Sequence, residues 1–156
     1  MTLREMTPED IDAVMEIERD LFTEPWTAEG FLTFLLRNDA LFVVVEETQV
    51  KPAVSQKKGG ILGYAGILMV LDEGDITNVA VRRDRQKEGI GGFLLDGLFL
   101  LCRERGIQRI HLEVRDGNVP AIRLYERKNF VRDGLRKNYY TAPVEDAILM
   151  TKELEG

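Results

Sequence analysis

The order of elements legible in this 156-residue chain predicts an α/β fold, one sheet with helices on both faces. Three observations carry that expectation. Apolar residues alternate or cluster over several stretches of strand length and recur at three- and four-residue intervals over longer ones. These stretches follow the order strand, two helices, three strands, helix, strand, helix, two strands. The length suits one domain, residues 1–156, which buries roughly two thirds of its unfolded surface without needing staples.

Leu3 to Met6 reads as a short strand, and Thr7-Pro8-Glu9-Asp10 as a helix start with a capping hydroxyl, an early proline and early carboxylates. Ile11, Val14, Met15, Leu21 and Phe22 give that helix its buried side. Thr23-Glu24-Pro25-Trp26 interrupts it, and Thr27 caps a second helix to about Arg37 that turns Phe31, Phe34 and Leu35 inward. Leu41 to Glu46 is a strand. The polar segment Glu47 to Gly59 reads as an exposed hairpin loop, longer than the usual two to five residues, and is assigned no function. Gly60 to Leu71 and Asp75 to Val81 are the next strands, joined by the turn Asp72-Glu73-Gly74.

A helix from about Gly89 to Arg105 carries Ile90, Phe93, Leu94, Leu98, Leu101 and Cys102 as its apolar stripe. Gly106 stops it. Gln108 to Val114 is a strand with Ile110, Leu112 and Val114 on one face and His111 and Glu113 on the other. Asn118 caps a helix from Pro120 to about Lys128; Asn129 to Asp133 begins another strand, and Ala147 to Lys152 is the last.

The segment from Asn78 to Leu95 organises the rest, because it runs from a strand through a basic turn into a helix that opens on glycines. Gly89, Gly91 and Gly92 leave N–H groups uncovered at the positive end of the helix dipole, which makes an anion site. Each glycine costs up to about 1 kcal/mol relative to alanine, so three in one turn imply a close approach to the backbone. The pattern G-x-x-x-x-G-K-[ST] does not occur, and Gly89-Ile90-Gly91-Gly92 does not continue as G-x-G-x-x-G, which excludes the common nucleotide loops. Arg82, Arg83, Arg85 and Lys87 gather positive charge beside the glycines.

A net charge of −6 argues against general nucleic-acid binding and favours a basic partner. Met1-Thr2-Leu3-Arg4-Glu5 is already charged, and the run from Ile61 to Leu71 is too short and glycine-broken to span a bilayer, so no membrane role is expected. The single cysteine, Cys102, sits on an apolar stripe and points to a reducing cytoplasm rather than a disulfide or a reactive thiol. His111, the only histidine, has no metal-ligand cluster around it, and no metal is expected.

Gln86-Lys87-Glu88-Gly89-Ile90-Gly91 resembles the Q/R-x-x-G-x-G/A signature of the GNAT superfamily of N-acetyltransferases, whose turn holds the pyrophosphate of acetyl-coenzyme A. Leu112-Glu113-Val114-Arg115, Asn118, Ala121 to Glu126 and Asn129-Phe130 are similar to a run of the bacterial ribosomal-protein-alanine N-acetyltransferases (RimI type). Phe22-Thr23-Glu24-Pro25-Trp26 and Arg136-Lys137-Asn138-Tyr139-Tyr140 look like that group's two substrate-side loops. The likeness spans nearly the whole chain. It implies a single GNAT-type domain with a mixed, mostly antiparallel sheet, acetyl-CoA as cosubstrate, and a protein N-terminus, that of a ribosomal protein beginning in alanine, as acceptor. It further implies Glu113 as proton acceptor and Tyr125 as proton donor. Cofactor contacts map onto Val79, Ala80, Val81, Gln86, Lys87, Glu88, Gly89, Ile90, Gly91, Gly92 and Asn118, and substrate contacts onto Glu24, Trp26, Tyr139 and Tyr140. The chain departs from the group at Lys87 and Glu88, where small or basic residues are usual, and at Asn138, where glycine is common. A glutamate beside a pyrophosphate is repulsive unless it points to solvent.

The chemistry of these residue types fits direct attack. An α-amine of pKa about 7.7–8.0 needs only modest help, whereas a lysine amine near 10.4 costs roughly 3 kcal/mol more to deprotonate. An ordinary glutamate is too acidic to take that proton outright, so Glu113 would need a raised pKa or a water relay, and anchoring such a relay suits it best. The Val79 N–H would stabilise the oxyanion if the strand edge is open there, and a phenol of pKa about 10 at Tyr125 is matched to protonate a leaving thiolate. Acetylation of a small amine or a lysine side chain on the same scaffold, and a non-catalytic acyl-CoA sensor, are the alternatives.

Overall fold

The computed structural model describes residues 1–47 and 60–154, so all of the expected 47–59 loop except Glu47 lies outside them. The described residues form seven strands and four α-helices in the expected order: β1 (Thr2–Glu5), α1 (Ile11–Leu21), α2 (Ala28–Leu35), β2 (Ala40–Glu46), β3 (Ile61–Val70), β4 (Glu73–Val81), α3 (Ile90–Glu104), β5 (Arg109–Arg115), α4 (Val119–Arg127), β6 (Val131–Thr141) and β7 (Val144–Glu153). The sheet runs β1-β2-β3-β4-β5-β7-β6. Every neighbouring pair is antiparallel except β4 and β5.

Strand alternation sorts the core into two layers. Leu41, Val43 and Val45 face one way, where they pack with Ile90, Leu94 and Leu98 of α3 and Ile122 of α4; Phe42 and Val44 face the other, against Val14 and Met15 of α1 and Phe31 of α2. Buried on both faces, β2 reads as an unbroken apolar run, Leu-Phe-Val-Val-Val. Helix starts behave as the residue types require: the Thr27 hydroxyl accepts from Gly30 N–H at 3.0 Å, and the Asn118 side chain accepts from Ala121 N–H at 3.3 Å. Thr7 opens a 3-10 turn, Pro8–Asp10, rather than the α-helix itself. There the Asp10 carboxylate accepts from the Thr7 N–H at 2.8 Å and forms a two-pronged ion pair with Arg4.

Several boundaries and faces differ from expectation. The β3–β4 turn is at Leu71–Asp72, with Leu71 at φ 56°, and Glu73 already belongs to β4. On α3 the buried face is Ile90, Leu94, Leu95, Leu98, Phe99 and Cys102, while Phe93 is exposed. Gly97, also outside that buried set, meets another element: a Cβ there would lie 2.3 Å from Leu3 of β1. Phe22 is likewise exposed, and on α1 the buried positions include Ile17 and Glu18. The expected loop at 136–140 is instead part of β6, with a register irregularity between Arg136 and Tyr140.

Candidate active site

The parallel pair β4 and β5 holds register only from Glu73 to Asp75, opposite Arg109 to His111. Beyond that the strands part. A cleft of about 680 Å³ opens in the gap, lined by Ile76 to Val79 of β4, Leu112 to Arg115 of β5, Tyr125 of α4, the α1–α2 loop and the β6–β7 turn. On the other side β4 stays paired with β3, where Arg82 N–H donates to Leu62 C=O at 2.7 Å and Tyr64 faces Ala80. Antiparallel pairs alternate, so Arg82 and Ala80 spend their backbone groups on β3 while Val79 and Val81 point theirs into the gap. The open edge expected at Val79 is therefore present.

The cleft joins both faces of the sheet. Leu112 and Val114 belong to the α3/α4 layer, so Glu113 faces the α1/α2 side, where it is exposed. Tyr125 reaches the cleft from α4, on the opposite side, and its ring stands edge-on to Phe130 at 5.6 Å. Burial raises the Tyr125 phenol above its ordinary value, and neighbouring Tyr140 raises it further. Tyr140 itself is pushed up to about 12, by burial first and then by the charge of Glu113. The match between a leaving thiolate and a phenol near 10 is thus corrected: both phenols hold their protons more tightly.

At the other end of the gap α3 begins. Gly89, its N-cap, is left-handed at φ 81° and caps nothing with a side chain, and the first helical bond recorded there is Phe93 N–H to Gly89 C=O at 3.1 Å. That leaves the N–H groups of Ile90, Gly91 and Gly92 without intrahelical acceptors. The three glycines have different reasons. Gly89 needs its φ, with open space around it, whereas a Cβ at Gly91 would sit 3.0 Å from Leu124 and one at Gly92 3.3 Å from Lys128, both neighbours near α4. Close packing thus accounts for Gly91 and Gly92 in part.

The side chains around this turn are largely occupied elsewhere. Glu88 accepts from Arg85 at 3.0 Å, which also pairs with Glu47; Arg82 pairs with Asp84 and Arg83 with Asp20. Gln86 donates to the Val81 carbonyl at 3.1 Å, tying the turn to the strand end. Lys87, at φ 67°, is exposed. Glu88 is thus paired with Arg85, and the unpaired donors at the mouth of α3 are backbone N–H groups.

The α1/α2 wall is latched from two sides. The Thr23 hydroxyl donates to Ala142 C=O at 2.8 Å, and the Thr141 hydroxyl to Glu24 Oε1 at 3.1 Å. Arg115 donates to Pro143 C=O, Ala142 C=O and Glu145, and its guanidinium lies 4.3 Å from the Tyr140 ring centroid. Tyr139 stands edge-on to Tyr140 at 5.1 Å and beneath Arg136. Asn138 takes φ 53° and donates its N–H to Asp146, so asparagine fills a left-handed position that otherwise favours glycine. Trp26 lines the cleft while stacking on Phe34 at 4.8 Å and leaning on Phe31 and Phe42, so it anchors the core as well.

The cleft therefore brings together Val79, Glu113, Tyr125, Asn118, Glu24, Trp26, Tyr139 and Tyr140. Val81 turns its N–H toward the gap, Ala80 faces the α1/α2 layer, and Gln86 to Gly92 lie in the turn and first helical residues beyond it. Among the lining residues that were not expected at the site are the polar side chains of Glu18, Thr77, Asn78 and Arg115. Glu18 had a signal, a carboxylate three and four residues after Met15 and Val14 on an apolar face; Thr77 and Asn78 had none, since polar residues alternate normally in a half-buried strand. Cys102 is fully buried and its thiol is pushed up to about 11 by that burial. Among the described residues no group of histidine, cysteine or carboxylate side chains could hold a metal, and no helix is long and apolar enough to cross a membrane.

Comparison with known proteins places this geometry. Residues 11–130 match the model of the acetyltransferase (GNAT) family. A Bacillus subtilis (strain 168) relative, provisionally named a ribosomal protein bS18-alanine N-acetyltransferase, is 40% identical over 149 residues, covering 95% of this chain and 92% of its own. The solved ribosomal-protein-S18-alanine N-acetyltransferase from Escherichia coli superposes with a TM-score of 0.84 at 32% identity, over 99% of this chain and 94% of its own. Arabidopsis thaliana NAA60 in complex with acetyl-CoA, at 20% identity, shares the fold with a TM-score of 0.85 over 99% of both chains. With its strands parted beside a glycine-opened helix, the chain belongs to the acetyltransferase (GNAT) family.

Proposed function

We propose that this protein transfers an acetyl group from acetyl-CoA to the N-terminal amine of another protein, a ribosomal protein beginning in alanine. The observation that carries the reading is the parted β4–β5 edge, with the Val79 N–H turned into the gap, Glu113 on one side of it and Tyr125 on the other. The names of the 40% and 32% identical relatives supply the acceptor class.

Acetyl-CoA supplies an activated acyl thioester, and the donor set suits its diphosphate. The N–H groups of Ile90, Gly91 and Gly92 would hold that anion at the helix terminus. Lys87 adds positive charge nearby, and Gln86 keeps the turn in shape by holding Val81 C=O. The Val79 N–H would donate to the carbonyl oxygen as negative charge gathers there, and an oriented donor of this kind is worth about 3 kcal/mol of barrier. Glu113 receives the proton of the attacking amine through a water. Tyr125, kept neutral by burial, donates a hydrogen bond to the departing thiolate. A thiol of pKa about 8.5 is a stronger acid than this phenol, so Tyr125 stabilises the thiolate first and passes a proton only as one arrives to replace it. Asn118, fixed as the α4 cap, borders the same path.

Glu24, Trp26, Tyr139 and Tyr140 form the wall that would receive the first residues of the peptide. We place the reaction in the cytoplasm, where a ribosomal acceptor and a free Cys102 thiol both belong. The test is coenzyme A release with a panel of free and N-terminally blocked peptides, followed by mass mapping. The free amino terminus is the expected acceptor; equal reaction of blocked, lysine-bearing peptides would overturn the assignment.

A further inference from the structure

Two buried polar residues of the cleft have no part in the chemistry above. Glu18 is 2% exposed, yet it borders the cleft. Its Oε1 accepts from the Tyr64 hydroxyl at 2.5 Å and its Oε2 from the Trp26 N–H at 2.9 Å, both neutral donors. Among the described residues no cation is paired with it. A carboxylate taken from water on neutral donors alone is under-compensated, and its oxygens keep free lone pairs. The hydrogen bond to Glu18 also raises Tyr64 far above its ordinary value, after burial, so that phenol remains a donor.

Asn78 is 7% exposed and its Oδ1 is buried without a hydrogen-bond partner. It lies two residues before Ala80, on the face of β4 that meets α1, hence on the side of Glu113 and Glu18. Buried amides are nearly always paired, so this one is unsatisfied as it stands. The cleft around it also carries Glu24 and Glu113, while the one arginine on its wall, Arg115, is engaged with Glu145 and two carbonyls. The net bias favours a cation.

We propose that Glu18 and Asn78 form the acceptor-recognition pair of the cleft, Glu18 attracting the protonated amine and Asn78 hydrogen-bonding the peptide group next to it. This rests on the transferase reading and deepens it by naming what the acceptor must carry. The unpartnered Asn78 Oδ1 calls for a donor, and a peptide N–H is one. An N-terminal amine stands one carbon from such a unit, whereas a lysine amine is flanked by methylenes. The pair binds and orients; it breaks no bond.

The experiment is steady-state kinetics of the wild type, Asn78→Ala and Glu18→Gln with a free N-terminal peptide and with a simple alkylamine. Asn78→Ala is expected to raise KM for the peptide about tenfold, leave kcat within about threefold, and leave the alkylamine unaffected. Acetyl-CoA affinity by calorimetry stays unchanged. Glu18→Gln is expected to raise the peptide KM at pH 7, with the excess over wild type shrinking by pH 9 as an α-amine of pKa about 7.7–8.0 loses its charge. A purely structural Glu18 would give the same excess at both pH values, and that result, or an unmoved peptide KM in Asn78→Ala, overturns the proposal. Should Glu18→Gln fail to fold, Asn78→Ala decides alone. If the wild type accepts the alkylamine and refuses the peptide, the N-terminal reading fails; the pair is then judged on the alkylamine, where a KM unmoved by Glu18→Gln overturns it too.

Discussion

The two ends of the cleft are built from different material. Where α3 begins, the surface is backbone: Gly89 in the left-handed region, the uncapped N–H groups after it, and the outward edge of β4 at Val79 and Val81, with Arg82, Arg85, Glu88 and Gln86 drawn off into bonds of their own. At the opposite end the surface is side chains brought from distant stretches, Thr23 and Glu24 from the α1–α2 loop, Arg115 from β5, Tyr140 and Thr141 from β6. A backbone cradle answers to charge and shape and is indifferent to sequence except where φ or volume forbids a side chain. A wall of side chains can change one residue at a time. On the proposed reading, the first end suits a constant cofactor and the second is the one that would discriminate between amines.

Gly89→Glu attacks the cradle directly and carries the largest expected effect. It forces a side chain into φ 81° and adds negative charge at the helix mouth, so acetyl-CoA affinity by calorimetry falls at least about 100-fold, while Gly89→Asn, which tolerates that φ, loses only a few-fold. Unchanged affinity in the glutamate variant would break the distinction between the two ends. Between the ends, Tyr125→Phe and Glu113→Gln are expected to lower kcat about 100-fold each with acetyl-CoA binding intact. Because burial holds the Tyr125 proton above its ordinary value, kcat should show no fall from loss of that proton below about pH 10; a decline centred near pH 8 would contradict this.

The wall should respond in KM alone. Thr141→Val removes the latch to Glu24 and is expected to raise peptide KM about fivefold, leaving acetyl-CoA affinity unchanged. The smallest kinetic effect belongs to Asp10→Asn, remote from both ends. It cuts the pair with Arg4, which holds the Asp10 carboxyl below its usual range, and costs about 2 kcal/mol of stability at pH 7 with kinetics unchanged. A depressed pKa contributes stability above the unfolded value near 3.9 that is lost as pH falls through the folded one, so the gap between variant and wild type closes in acid. Denaturation at pH 7 and pH 3 checks it.

The same difference explains what could be read from the chain. The cradle is local: Gly89, Gly91 and Gly92 sit within four residues, and one strand-turn-helix spells it out. Element order was legible for the same reason, since period and punctuation are local signals. The roll of α3 was not, because Phe93 and Leu95 both suit a core and the partners that bury Leu95 lie on strands distant in the chain. The 136–140 segment reads as a loop by its resemblance to a substrate-side loop, yet it is a strand with one left-handed residue, Asn138. Glu18 and Asn78 were hardest to see. Glu18 is bonded to Tyr64 and to the Trp26 backbone across separate elements, and Asn78 alternates like any polar residue of a half-buried strand.

The account stands on one placement, a diphosphate held by backbone at the start of α3 so that the thioester lies across the open edge of β4. A crystal structure with acetyl-CoA bound measures it directly. Phosphate oxygens within about 3.2 Å of the Gly91 and Gly92 nitrogens, with the thioester carbonyl against Val79 N–H, is the predicted result. A diphosphate bound anywhere else in the molecule would contradict it.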